Sequence, residues 1–257
     1  MTRILEWTAG LRGVTGAPWP GVRYVSTWRC GGVSVAPWDS LNLGLHVEDD
    51  PAAVRENRGR VRAGLPSEPL WLDQVHGTTV WHAAAQRQTA PEAAPCADAA
   101  VTISRGRPLA IMTADCLPVV LADQAGTVLG AAHAGWRGLV SGVLENTLSA
   151  MRRQAPQASA WRAWIGPGIG PDAFEVGDEV RRAFVDLDAG AAMCFAPSAR
   201  AGHWLADLAG LAARRLAQAG VGEVESSGEC TYRQADRYFS YRRQARTGRQ
   251  VTLAWLV

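Results

Sequence analysis

The stretch "AIMTADCLPVVLADQAGTVLGAAHAGWRG" spans residues 110–138 and is the strongest indication of the fold. Its apolar runs at 117–123 and 126–134 are continuous rather than alternating, which is typical of strands buried on both faces. A helical pattern follows at Arg137, so strands and helices succeed each other along the chain. We therefore predict one mixed α/β domain, over residues 1–257, with more than one sheet.

Strand signals dominate the first two thirds of the chain. Residues 69–75 and 78–83 flank His76 and Gly77 in the order strand, turn, strand. Further strands are predicted at 21–29, 98–104, 108–114 and 250–257.

Helices are predicted at 50–66, 137–154, 177–187 and 204–220. The first has the clearest start, because Asp50 suits an N-cap and Pro51 suits the first helical position. Polar loops are predicted at 83–97 and 196–203, and both are too short to separate domains.

The composition is that of a folded protein, with 47% hydrophobic and 19% charged residues. No run of eighteen apolar residues predicts a membrane span, and the first thirteen residues lack the apolar core of a secretory signal. Five cysteines are an odd number, which argues against a closed disulfide framework and favours reduced thiols. We therefore expect a cytoplasmic location.

All 26 basic residues are arginine, since the sequence contains no lysine. Schiff-base chemistry, pyridoxal enzymes and P-loop nucleotide sites are thereby excluded, because each needs a side-chain amine. The net charge of +2 is too balanced for a nucleic-acid partner. Arginines cluster locally in the segment 227–249, so we expect any anion bound there to be small and assign the segment a structural or cleft-rim role.

The chemical candidates are His76, Cys116 and His133, which flank ends of predicted strands. Two imidazoles and one thiolate form a typical zinc site with one open position, where bound water becomes acidic. Cys116 could instead be a nucleophile, with His133 as its base and Asp115 orienting the imidazole. A third possibility is that Cys116 is only a small buried side chain.

Copper is a further alternative, because two histidines and one cysteine with an axial methionine suit a blue-copper centre. A multicopper oxidase, however, needs about ten histidine ligands, and the chain has five histidines. The glycine-rich segment 164–180 lacks the spacing of a dinucleotide fingerprint and is interpreted as a rigid loop or a place where backbone approaches a ligand.

Six motifs together resemble the YfiH-like, or laccase-domain, family over about residues 20–257. They are "GGVSVAPWDSLNLGLHVEDDPAAVRENR", "WLDQVHGTTV", "ADAAVTISRGRPLAIMTADCLPVVLAD", "GAAHAGWRGLVSGV", "IGPGIGP" and "CTYRQADRYFSYRRQARTGR". The resemblance implies a single-domain four-layer α-β-β-α sandwich with mixed sheets. It also implies zinc bound by His76, Cys116 and His133, which would be the catalytic residues.

The activities implied by the resemblance are phosphorolysis of purine nucleosides (adenosine, inosine, guanosine and methylthioadenosine) and deamination of adenosine. The small-molecule partners would then be a nucleoside and phosphate. By loop proximity we assign the phosphate to Arg58 and the ribose to Asn42 and His46.

Other functions stay open at this point. A bacterial branch of the family removes a wrongly added serine from a UDP-muramoyl peptidoglycan precursor, which would make the chain an amidase or cysteine hydrolase. A copper polyphenol oxidase is less consistent with the histidine count, and a non-enzymatic interaction module would need a closed metal site. The chain departs from the family at Asp172, Ala173 and Phe174, where Cys and Tyr are frequent, and at Gly210, where Asn is common. Both departures bear on the cleft rim rather than on the metal ligands.

Overall fold

A computed structural model describes residues 2–83 and 93–257, so most of the predicted loop 83–97 lies outside the described residues. Its strands are β1 (Arg3–Glu6), β2 (Arg12–Thr15), β3 (Val22–Thr27), β4 (Val80–His82), β5 (Ala99–Thr102), β6 (Leu109–Thr113), β7 (Leu117–Asp123), β8 (Leu129–Ala134), β9 (Trp161–Ile165), β10 (Glu175–Gly177), β11 (Phe195–Pro197), β12 (His203–Ala206), β13 (Glu223–Ser226) and β14 (Gln250–Leu256). Its helices are α1 (Pro51–Arg62), α2 (Trp136–Val140), α3 (Val143–Gln154), α4 (Asp178–Val185) and α5 (Leu208–Gln218), with 3-10 turns at Thr8–Gly10 and Ala189–Cys194.

The strands form three sheets within the described residues. A five-stranded antiparallel sheet has the order β1-β2-β3-β14-β6. A six-stranded sheet has the order β13-β9-β7-β8-β5-β4 and is mixed, because its two outermost pairs are parallel and the inner pairs antiparallel. The strands β10, β12 and β11 make a small antiparallel sheet.

Strand β7 shows why the runs of the opening stretch are continuously rather than alternately apolar. Val120 and Ala122 pack in the core between the two large sheets, whereas Val119 and Leu121 pack against the helices on the other side. Successive side chains of a strand point to opposite faces, so a strand between two cores must be apolar throughout.

Helices cover the outer faces of the two large sheets. Leu148 of α3 and Leu211 of α5 belong to the core outside the six-stranded sheet. Val61 of α1 belongs to the core outside the five-stranded sheet, together with Val251 of β14. The order helix, sheet, sheet, helix confirms the predicted four-layer α/β fold.

The helix starts follow local chemistry. Asp50 accepts a hydrogen bond from the backbone amide of Ala52, and Pro51 occupies the first helical position, as predicted for α1. Asp207 accepts in the same way from the amide of Gly210 at the start of α5. The predicted helix 204–220 therefore starts late, because its first residues form β12 instead.

Two further expectations differ from the structure. The predicted helix 137–154 is broken between α2 and α3 at Gly142, whose φ of 97° lies in the left-handed region that glycine tolerates. Residues 69–75 form only isolated bridges, from Leu70 to Leu109 and from Asp73 to Cys96, rather than a strand.

All five cysteines are free thiols, as the odd count predicted. Among the described residues there is no helix with the length and hydrophobicity needed to cross a membrane.

Candidate metal centre and its cleft

Two of the three candidate ligands meet because of the register between β7 and β8. These strands are antiparallel, and Leu117 at the start of β7 pairs with Ala134 at the end of β8. Cys116 directly precedes Leu117, and His133 directly precedes Ala134. The hairpin therefore brings the thiol and the imidazole to the same end of the six-stranded sheet, although seventeen positions separate them.

Asp98 brings the third ligand, His76, to the same end of the sheet. Its Oδ1 accepts from the backbone amide of His76 (2.9 Å), and its Oδ2 accepts from the amides of Gly77 (2.6 Å) and Val75 (3.2 Å). The same carboxylate bonds Nδ1 of His133 at 2.8 Å. Asp98 directly precedes β5, which pairs with β8, so one buried carboxylate holds both histidines.

The backbone is strained where the ligands are placed. His76 has a φ of 62° and Asp115, the residue before Cys116, has a φ of 95°. Residues other than glycine occupy this region only when their surroundings fix them there, and such residues are frequent at functional sites. The hydrogen bonds from three backbone amides to Asp98 fix His76. Asp115 is fixed because its carboxylate accepts from the Thr231 hydroxyl and the Arg242 amide.

The three side chains form a compact set of metal-binding donors. Their ligand atoms all lie within 4.8 Å of one another, and Sγ of Cys116 is 3.8 Å from Nε2 of His76. Because Nδ1 of His133 is bonded to Asp98, its Nε2 is left for a metal, in the arrangement that carboxylate–histidine–metal sites use. His76 is exposed and His133 buried, so one side of the set faces solvent.

Gly135 leaves the space that this set requires. A Cβ at residue 135 would lie 2.8 Å from Sγ of Cys116 and 3.1 Å from Cδ2 of His76. Any side chain there would displace two of the three donors. The glycine and the soft two-imidazole, one-thiol donor set both fit a bound transition metal.

The charges of the set favour a thiolate. Burial alone would raise the pKa of the Cys116 thiol, but the charge of His133 and hydrogen bonds to both imidazoles lower it to about 6. Burial would lower the pKa of His133, whereas the Cys116 thiolate and the hydrogen bond to Asp98 raise it to about 9. The ionised thiol is the form of cysteine that binds metals and attacks electrophiles.

The donor set opens into a cleft of about 530 Å³. Apolar and aromatic side chains line part of it, with Phe174, Trp136 and Tyr241 among them. The polar part of the wall includes the arginines Arg137, Arg242 and Arg249 and the carboxylate of Asp115. A volume of this size suits a small organic molecule, and the aromatic faces suit a planar one. The segment 227–249 thus supplies part of the rim, as predicted, and the departure residue Phe174 lies in the cleft wall.

The structure places the three predicted substrate residues differently from one another. His46 lines the cleft and also an adjoining pocket of about 360 Å³. Arg58 lines only the adjoining pocket, where its guanidinium stacks on Trp71 at 3.8 Å. Asn42 is fully buried, and its Oδ1 accepts from the amides of Gly44 and Arg249. Any effect of Asn42 on a substrate would therefore act through these two residues.

The sequence interpretation missed Asp98 and Arg249. It assigned the orientation of His133 to Asp115, whereas Asp98 is the carboxylate bonded to that imidazole. The available signal was an aspartate immediately before an apolar run, which Asp98 shares with Asp115 and which does not distinguish their partners. Only the pairing of β5 with β8 does so.

Most of the sequence matches a known protein family. Residues 23–257 match the family model described as "Multi-copper polyphenol oxidoreductase laccase". The chain belongs to this family. Within the described residues, a single group of three or more metal-binding side chains is present, which is His76, Cys116 and His133.

Curated family members are similar over nearly the whole chain. A purine nucleoside phosphorylase of Pseudomonas aeruginosa is 49% identical over 241 residues, covering 93% of this chain and 96% of its own length. The purine nucleoside phosphorylase YfiH of Escherichia coli is 47% identical over 244 residues, covering 93% and 97%.

Solved structures of the family share the fold. The structure of a Neisseria meningitidis protein superposes with a TM-score of 0.85 at 45% identity, covering 94% of this chain and 97% of its own. YlmD from Geobacillus stearothermophilus gives a TM-score of 0.87 at 27% identity, covering 98% of both chains. The predicted resemblance to the YfiH-like family is thereby confirmed.

Proposed function

We propose that the protein is a purine nucleoside enzyme whose site is the cleft beside His76, Cys116 and His133. The observation that carries the proposal is a three-donor metal set in the wall of a cleft that offers both aromatic faces and arginines. The names of the two curated relatives support it, since both are purine nucleoside phosphorylases. The substrates we propose are adenosine, inosine, guanosine and methylthioadenosine, with adenosine also deaminated.

Zinc is the metal we propose, held by His76, Cys116 and His133. When bound, it would supply a Lewis acid that polarises a substrate oxygen or acidifies water. The family description names copper, and copper is the alternative that the same donor set accepts. Asp98 holds the backbone of His76 and the ring of His133 in place, and its bond to Nδ1 of His133 would keep Nε2 directed toward the metal.

Phosphorolysis requires the cleft to hold two reactants together. A phosphate oxygen forms a bond to C1′ of the ribose, the C1′–N9 bond breaks, and the purine leaves with the electron pair and takes up a proton. Aromatic side chains such as Phe174 and Tyr241 would bind the base, and the arginines would neutralise the phosphate. Deamination replaces phosphate by water, which adds at C6 of adenosine and expels ammonia.

Activity measurements test this proposal together with metal analysis. Purified protein given inosine and phosphate should release hypoxanthine and ribose 1-phosphate, and protein given adenosine without phosphate should release inosine. The variants His76→Ala and Cys116→Ala should lose both activities and the bound zinc. His82→Ala is the control, because His82 is exposed and bonds Gln154 outside the cleft. Full activity in both site variants would disprove the proposal.

A cysteine hydrolase or amidase acting on a cell-wall precursor is the second candidate. One observation favours it: Cys116, His133 and Asp98 form a chain of nucleophile, base and orienting carboxylate. Chelator-treated protein would then hydrolyse the seryl amide of a UDP-muramoyl precursor faster than it cleaves any nucleoside. Loss of amide hydrolysis on chelation would exclude this candidate.

Three further inferences from the sequence stay predictions. They are one domain over residues 1–257, a cytoplasmic location, and small-molecule rather than nucleic-acid partners.

A further inference from the structure

The cleft contains arginines that form no ion pair with the described residues. Within the described residues, none of Arg137, Arg242 and Arg249 takes part in an ion pair, whereas Arg214 and Arg215 on α5 both do. Arg137 and Arg242 are exposed, so water screens their charge, but Arg249 is partly buried. Burial disfavours the charge of Arg249, and the Cys116 and Asp115 side chains offset this only in part because neither forms an ion pair with it. A bound anion would offset the cost further.

Hydrogen bonds fix Arg249 in one orientation. Its backbone amide donates to Oδ1 of Asn42 at 2.9 Å, and its carbonyl accepts from the amide of Leu43 at 3.1 Å. Its Nη1 donates to the carbonyls of Thr247 (3.1 Å) and Gly248 (3.0 Å). Backbone and one guanidinium nitrogen are thus both held by the protein.

The other two nitrogens of Arg249 form a free edge. No acceptor among the described residues bonds Nε or Nη2, and the side chain lines the cleft. The N–H groups of Nε and Nη2 are parallel and lie on the same side of the guanidinium plane. This is the pair of donors with which arginine binds two oxygens of a phosphate or carboxylate at once.

Gly44 permits this placement and brings His46 beside it. A Cβ at residue 44 would lie 2.9 Å from Cγ of Arg249 and 3.4 Å from Cε1 of His46. The stem of the arginine and the imidazole therefore pack over the same backbone position. Burial and the charge of Arg249 lower the pKa of His46, so the arginine is the positive charge of this pair at neutral pH.

Arg58 is less suited to the same role. Its Nε donates to the carbonyl of Leu43, its Nη2 contacts Sδ of Met112 at 3.8 Å, and its guanidinium carbon lies 3.8 Å from the centre of the Trp71 ring. Arg58 therefore lacks the free Nε–Nη2 edge.

We propose that the Nε–Nη2 edge of Arg249 is the phosphate-binding site of the cleft. The assignment rests on the proposed function, because the phosphate is the ion that phosphorolysis consumes. It moves the phosphate from the pocket of Arg58 to the cleft that contains the metal-binding set. Asn42 and Gly44 then act as positioning residues for Arg249.

Phosphate binding to the protein as purified tests the assignment by isothermal titration calorimetry. Arg249→Gln should raise the Kd for inorganic phosphate about tenfold or more, since it removes two charge-assisted hydrogen bonds. Arg249→Lys should give an intermediate Kd, because lysine keeps the charge but not the paired donors. Gly44→Ala keeps every charge and should also weaken binding, by displacing the arginine. The zinc content should stay at the wild-type level in all three.

The controls are Arg58→Gln and Arg153→Gln, the latter an exposed arginine on α3 that bonds Ser149. Both should bind phosphate like the wild type. Wild-type affinity in Arg249→Gln, loss of binding in Arg58→Gln, or no phosphate binding by the wild type would each overturn the assignment.

One outcome distinguishes free phosphate from a phosphate group carried by the substrate, and a second distinguishes this assignment from the proposed function. If Arg249→Gln weakens binding of adenosine 5′-monophosphate but not of inorganic phosphate, the edge binds a phosphate carried by the substrate, and the assignment to the free ion is wrong. If phosphate binding depends on Arg249 but no nucleoside is cleaved, the phosphate site stands and the proposed function falls.

Discussion

At the residue scale, Asp98 accepts hydrogen bonds from three successive backbone amides and from the ring of His133. Burial would raise the pKa of this carboxyl, but hydrogen bonds from His133 and Gly77 outweigh it and lower the pKa. Asp98 therefore stays ionised over the range in which enzymes work. Its charge stabilises the turn that carries His76 and orients His133 at the same time.

Replacing Asp98 by asparagine should separate its charge from its size. We expect Asp98→Asn to weaken zinc binding about 10- to 100-fold, as the loss of a carboxylate behind a metal-bound histidine does elsewhere. The measurement is competition for zinc with a chelator of known affinity. The control is Asp123→Asn, since Asp123 also accepts backbone amides but at the far end of β7. Equal zinc affinity in the two variants would contradict the role of Asp98.

The thiol of Cys116 offers a pH-dependent test. In chelator-treated protein, its alkylation by iodoacetamide should be half-maximal near pH 6, because the lowered pKa makes the thiolate the main form above that pH. His133→Gln removes the neighbouring charge, so the pKa should rise toward about 8.5 and the rate at pH 7 should fall about tenfold or more. Mass spectrometry of the Cys116 peptide follows both. An unchanged pH profile in His133→Gln would show that His133 does not stabilise the thiolate.

At the element scale, Gly135 is the N-cap of α2 and lies against the donor set. Its φ of −68° and ψ of 160° are open to any residue, so glycine is required here by contact rather than by conformation. We expect Gly135→Ala to weaken zinc binding while the protein stays folded, because the added Cβ displaces Cys116 and His76. Chelator competition and circular dichroism measure the two properties.

A matched glycine lies in α1. A Cβ at Gly59 meets no atom within 4 Å, so Gly59→Ala should leave zinc binding unchanged. It should raise the free energy of unfolding by about 0.5–1 kcal/mol, because alanine restricts the unfolded chain and favours helix. Equal zinc affinities in the two alanine variants would show that the space at residue 135 is not needed.

The elements that the sequence predicted well are those with two buried faces or a clear cap. Strands β6, β7 and β8 are buried at every position and mostly apolar because they lie between cores, and α1 begins after Asp50 because the cap is local. Strand β1 is exposed along its whole length, and β12 has three residues before α5 that are only partly buried. Neither strand therefore has the buried faces that a hydrophobic pattern in the sequence would indicate.

At the scale of the whole molecule, the donor set joins the turn at His76 to the ends of β7 and β8. A metal bound by all three side chains should therefore stabilise the folded state, since it has no equivalent site in the unfolded chain. With free zinc at about a hundred times its Kd, the stabilisation is about 2.7 kcal/mol. For a chain of this size that is a shift in Tm of about 5–10 °C.

Thermal unfolding checks this expectation. Chelation should lower the Tm of the wild type by that amount and leave the Tm of His76→Ala unchanged. The control His82→Ala should respond to chelation like the wild type. A Tm that is insensitive to zinc in the wild type would show that the three segments do not share an ion.

The site could be predicted from the sequence only as far as its residue types allow. His76, Cys116 and His133 are recognisable because their motifs are distinctive, but their partners are not. Asp98 reaches His133 because β5 pairs with β8, and Arg249 is positioned by the hydrogen bond from its amide to Asn42. Such contacts join positions far apart in the chain, and no local pattern records them.

The pairing of β7 with β8 also bears on how the native strand register is selected during folding. A slip of one position between neighbouring strands turns every side chain to the opposite face. His133 would then point toward the layer where Ala132 and Ala134 pack beside the helices, out of reach of the thiol. Binding of an ion by all three side chains would therefore stabilise only those molecules whose strands have paired in the native register.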